Sequence, residues 1–200
     1  MLNREIDRYA KLMDEVRMRM ETISDLMSGR TRTTYLQTNI ESICLQFRKV
    51  LELIAFGSLV CHSKEYSAVR AIAKDWHAAR ILKAVEQTNP DFYPTPVRGW
   101  VGPDLNGQHK LAMFRGVQLT RIQFVALYDQ CGQLLHSQNP FTRYKSSVSF
   151  LNRAPNMMHR VEGLLSEHVV NLPLGKDFLW VHVPQDQNLP IQVQHFSKLA

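Results

Sequence analysis

Two hundred residues suit one domain, or one domain with a small appendage, and can bury a core without disulfide or metal staples. With 44% apolar and 21% charged residues, and no apolar run long enough for a membrane helix, the composition predicts an ordinary cytoplasmic globular protein with no membrane partner. Three widely spaced cysteines, Cys44, Cys61 and Cys131, fit reduced thiols better than a disulfide framework or zinc site, and the charged N-terminus lacks a signal-peptide core. The net charge of +6 is uneven. No acid lies between Asp129 and Glu162, where Arg143, Lys145, Arg153 and Arg160 occur with His136 and His159. Such a stretch is either a face for an anionic partner or a solvated surface.

Leu2, Ile6, Tyr9, Met13, Val16, Met20, Ile23 and Met27 recur in steps of four and three, an a/d seam over nearly four heptads. Ser28-Gly29 ends this helix. The seam can close on the next helix as an antiparallel hairpin, or on its copy in a second subunit, giving a homo-oligomer through residues 2–27. The next helix is expected over Thr34–Cys61, opened by a Thr34/Gln37 capping box. Leu36, Ile40, Ile43, Phe47, Val50 and Ile54 line one face, and Leu45, Leu51, Leu53 and Phe56 widen it, so this helix belongs at the centre of the domain. Arg48 and Glu52 lie within it four residues apart and can pair, as a structural bridge or as part of a site.

A further helix is expected over Lys64–Gln87, with Trp76 in its core and His77 and Arg80 exposed. The Pro- and Gly-rich residues 89–118 lack helical periodicity. Asn106-Gly107 between Gly99–Val101 and Lys110–Phe114 predicts a small hairpin or an ordered loop. Thr120 with Gln123 opens a helix to about His136, with Ile122, Val125, Tyr128, Cys131, Leu134 and Leu135 apolar. Val148–Asn152 and Asn156–Val170 read as helical, broken or restarted at Pro155. The period then changes to two over Phe178–Val183 and Pro190–Phe196, a C-terminal β-hairpin. Two strands alone are marginal, so this hairpin must pack on the helices, join the mid-chain hairpin, or pair with another chain.

No phosphate-binding loop, dinucleotide fingerprint, HExxH, CxxC or nucleophile elbow occurs, and no cofactor or metal is implied. The stretch Tyr128–Pro140 stands out because His136 and Asn139 mark a helix end followed by basic residues. Phe47-Arg48-Lys49-Val50-Leu51-Glu52-Leu53-Ile54 on an early helix, with Cys131-Gly132-Gln133-Leu134-Leu135-His136 ending a later one, resembles the HEPN family of small all-helical domains over about residues 35–140. The resemblance implies a domain that binds RNA, a nucleotide or a protein partner, as in defence and toxin–antitoxin systems. Its ribonucleases carry an arginine four to six residues before the histidine. Here Asp129, Gln130, Cys131 and Gly132, the residues at and just before that window, include no arginine, so a non-catalytic role is implied. Without a nearby cation to stabilise a phosphorane, the imidazole of His136 would be a poor nuclease.

These residues predict a mainly α, even all-α, fold. It comprises an antiparallel long-helix hairpin within a helical bundle over 1–176, a small mid-chain hairpin or loop, and a C-terminal β-hairpin over 177–200 packed on it. The expected binding residues are Arg48, Glu52, Tyr128, His136, Asn139, Arg143, Lys145, Arg153 and Arg160. One alternative is a metal-independent ribonuclease with His136 and a displaced Arg48 as its catalytic pair. Another is an oligomeric scaffold whose first helix and β-edge make the contacts.

Overall fold

The computed structural model describes residues 2–62, 77–87, 89–103, 107–137, 141 and 147–198. Helices α1 (Leu2–Ser28) and α2 (Leu36–Cys61) form the expected hairpin. Tyr9, Met13, Val16, Met20 and Ile23 of the α1 seam are buried in one core with Ile40, Ile43, Phe47, Val50 and Ile54 of α2. The seam is thus closed within the chain. The Thr34/Gln37 capping box does not form. Helix α2 starts after Tyr35, which makes no side-chain cap bond. The Gln37 amide is drawn elsewhere, donating to Glu41 and accepting the Ser147 hydroxyl. Helix α2 is the hub of the helical layer, touching α1, α3 (Ala78–Glu86), α4 (Arg121–Leu135) and α5 (Val148–Leu165). Of the expected Lys64–Gln87 helix the described residues are 77–87, and there the helix starts afresh as α3: His77, expected exposed within the helix, is instead its half-buried, extended N-cap, while Trp76 lies outside the described residues.

The capping box of Thr120 and Gln123 at α4 does form. The buried face of α4 is Phe124, Leu127, Tyr128 and Cys131, at helical spacing. Ile122, counted on that face from the sequence, is 84% exposed, and Val125 is exposed too. Helix α5 runs through Pro155 without a break. Proline removes one backbone donor there, and the burial of Phe150, Ala154, Val161 and Leu164 holds the two halves in line.

The larger correction follows α5. Glu167–Asn171, of which Glu167–Val170 read from the sequence as the tail of that helix, is strand β3. It pairs with β1 (Thr95–Val101) on one side and β4 (Asp177–His182) on the other. Strands β2 (Lys110–Met113) and β5 (Gln192–Ser197) complete an antiparallel sheet of order β2-β1-β3-β4-β5. The two expected hairpins are therefore one sheet, joined through β3, with Thr95 opposite Val169 and Pro96 opposite His168. The fold is mixed α/β, with 55% of the described residues in helix and 16% in strand, and is not all-α. Backbone pairing on both sides outweighs any helical tendency of a five-residue segment. Gly99, at φ +73, sits at an irregularity of β1 between Val97 and Trp100, a conformation that a residue with a Cβ rarely adopts.

One face of the sheet carries His168, Val170, Leu179 and Val181 into the core, towards α1 and α5. The Tyr9 hydroxyl bonds His168 Nε2 at 2.8 Å across that junction. Tyr9 fits because α2 presents Gly57 there: a Cβ at that position would lie 3.0 Å from the ring. Among the described residues no helix is long and apolar enough to cross a membrane.

Candidate functional site

The helical layer brings together three of the residues singled out in the sequence. Arg48 and Glu52 pair along α2, Nε to Oε1 at 3.3 Å. Arg48 Nη2 also donates to the Tyr128 hydroxyl on α4 at 2.7 Å, and its guanidinium lies 4.2 Å from the centre of the same ring. Lys49 Nζ takes the other Glu52 oxygen at 2.9 Å. The Glu52 side chain is almost fully covered, so two cations on one carboxylate are what make its burial tolerable.

The third wall is the start of α3. The Tyr128 hydroxyl accepts the backbone N–H of Ala78, one of the donors that a helix N-terminus leaves unused. The His77 ring stands edge-on to Tyr128 with centroids 5.2 Å apart. Burial pushes the Tyr128 phenol above its ordinary value, and Arg48 and the Ala78 N–H oppose that only in part. The phenol therefore stays protonated at neutral pH. Gly132, one turn along α4, makes room for the arginine: a Cβ there would lie 2.8 Å from Arg48 Nη1. Beneath it the buried thiols of Cys44 and Cys131 are hydrogen-bonded, and that bond with burial raises the Cys131 thiol far above its ordinary value. The cluster clamps α2, α3 and α4 together with a partly exposed positive edge at Lys49 and Arg48.

His136 stands apart from this cluster. It is the exposed C-cap of α4, four residues beyond Gly132 and about 6 Å further along the axis. Among the described residues it makes no hydrogen bond or ion pair with Arg48. The guanidinium already serves Glu52 and Tyr128, and it faces the preceding turns of α4. Arg153 and Arg160 lie two turns apart on α5. Arg153 is exposed and bonds the Ser149 carbonyl, while Arg160 bonds Asn156 and Gln123. Asn139, Arg143 and Lys145 lie outside the described residues.

Sequence reasoning missed Lys49, His77 and Gly132. Lys49 is three residues from Glu52, a helical ion-pair spacing that was legible. Nothing local could have revealed His77 or Gly132, since both matter through contacts far along the chain. Among the described residues no three His, Cys, Asp or Glu side chains gather as a metal site.

The fold and site define a mixed α/β domain. A helical layer organised on α2 covers one face of a five-stranded antiparallel sheet, with an Arg–Glu–Tyr clamp among its helices. Comparison of the chain with protein-family models, curated proteins and solved structures gave no match.

Proposed function

We propose that the protein is a non-catalytic binding protein for RNA or a nucleotide, HEPN-like in its helical part. The observation that carries this reading is the separation of Arg48 from His136. An acid–base histidine needs a cation at the reacting phosphate, and Arg48, the arginine the sequence offered for that role, is committed to Glu52 and Tyr128. The packing of α2 on α4 supports the HEPN-like part of the reading, since the two sequence patterns that suggested it face each other there. The overall charge of +6 and the two arginines of α5 support an anionic ligand.

The test is incubation of purified protein with RNA in EDTA, alongside a binding titration across salt concentrations. The expected result is binding that weakens steeply with salt and no cleavage. Cleavage that persists in EDTA and stops in His136→Ala, with the fold intact, would establish the ribonuclease alternative instead.

A further inference from the structure

The outward row of the sheet departs from the usual alternation, in which the face turned to water is polar. On β4 the inward residues are Leu179 and Val181, both buried, and the outward ones are Phe178, Trp180 and His182. Phe196 of β5 stands opposite Phe178 and stacks on it, centroids 5.6 Å apart and planes at 21°. Trp100, 38% exposed, leans across from β1, its ring 4.8 Å from Phe196 and 6.5 Å from Trp180. His182 lies parallel to Trp180 at 6.1 Å. Five rings thus form one layer, while the described helices that touch the sheet, α1 and α5, pack on its other side. Phe178 to His182 spans about 13 Å along the strand, enough for more than one planar ligand group.

The layer is held in place from within. Glu167 accepts the Trp180 indole N–H on one oxygen and the Gly99 backbone N–H on the other, each at 2.8 Å. One carboxylate thereby orients Trp180 and anchors the irregular turn of β1 that brings Trp100 over the sheet. Its charge is directed at two donors and not at an incoming anion. Positive charge rims the layer. Arg98 is exposed two residues before Trp100, and exposed Lys176 and Lys198, bonded to each other through their backbones, flank the Phe178–Phe196 end. Asp177 at that end has the inward parity of Leu179, and its carboxylate faces His195 at 3.5 Å.

We propose that this face is a stacking platform for the bases of a single-stranded oligonucleotide, with Arg98, Lys176 and Lys198 meeting phosphates at its ends. Aromatic rings on a sheet stack unpaired bases with little regard to sequence, and a basic rim follows the backbone. The rim also favours a polyanion over a second copy of this chain, which would bring the same charge to the same face. The inference shares its ligand class with the binding reading above but rests on different residues.

The experiment is fluorescence anisotropy with labelled oligouridine RNA, labelled oligothymidine DNA and a duplex RNA of equal length, in EDTA. Wild type is compared with Trp100→Ala, Phe196→Ala, Phe196→Tyr and the double variant Lys176→Glu/Lys198→Glu. Both single strands should bind and quench tryptophan emission, because stacking does not read the sugar. Each alanine variant should weaken binding about tenfold. Phe196→Tyr, which keeps a ring, should retain affinity, and the lysine reversal should flatten the salt dependence. If an aromatic variant loses its fold, the lysine reversal, made only at exposed positions, carries the test. Folded alanine variants that bind like wild type overturn the platform and leave the α5 arginines as the binding face. Duplex RNA that binds as tightly as the single strands also overturns it. So does a wild-type dimer that dissociates in Trp100→Ala. No binding of either single strand at low salt removes both this inference and the binding reading.

Discussion

Acid should destabilise this protein through His168. The ring is completely buried, its Nδ1–H directed at the Leu165 carbonyl at 3.0 Å, which leaves Nε2 to accept the Tyr9 hydroxyl at 2.8 Å. Burial lowers the His168 pKa from the ordinary 6.5 to about 4, against a smaller opposing effect of the Leu165 carbonyl. Between those two values the unfolded chain takes up a proton that the folded chain refuses. Stability is therefore complete above the ordinary value, falls as the pH drops, and levels off once the folded ring also protonates. Each pH unit in that interval costs about 1.4 kcal/mol, so the whole interval costs roughly 3 kcal/mol, a large share of a typical domain's stability. Urea denaturation followed by circular dichroism, from about pH 8 down to about pH 4.5, measures the loss. The matched variant is His168→Gln, whose amide can accept from Tyr9 and donate to Leu165 without titrating. The difference in stability between wild type and variant should shrink by about 1.4 kcal/mol for each unit of pH below the ordinary histidine value. Parallel pH profiles for the two proteins would refute this account of the buried ring.

Tyr9→Phe should cost about 1–3 kcal/mol at neutral pH, read by the same denaturation, because it strands His168 Nε2 as a buried acceptor. Val16 is 3% exposed in the closed seam, so Val16→Asp should unfold the chain, as circular dichroism and light scattering would report. A folded monomer would instead mean that the seam joins two subunits. Gly132→Ala should lose the usual helix gain of about 1 kcal/mol, since the new methyl displaces Arg48 from Tyr128. In an Arg48→Ala background that gain should return, and equal effects in the two backgrounds would contradict the contact.

What the sequence determined by itself were features whose partners are close along the chain, except where a distant partner competed, as Ser147 does for Gln37. The α1 and α2 periodicities, their short link and the Gly after α1 specify a hairpin, because side chains three and four apart share a helix face wherever that helix lies. The Thr120 capping box, the Arg48–Glu52 pair and the period-two runs around Phe178 and Phe196 are local in the same sense. Only tertiary structure decided that Glu167–Asn171 is a strand. Five residues carry too little pattern to choose, and the choice was made by hydrogen bonds to β1, some seventy positions away, and to β4. It likewise decided that Arg48 meets Tyr128, eighty positions on, and does not join His136. A helix pattern states which residues share a face; which turn of the neighbouring helix that face meets is set by how the whole core packs, and there Gly132 and Tyr128 receive the arginine one turn short of the histidine.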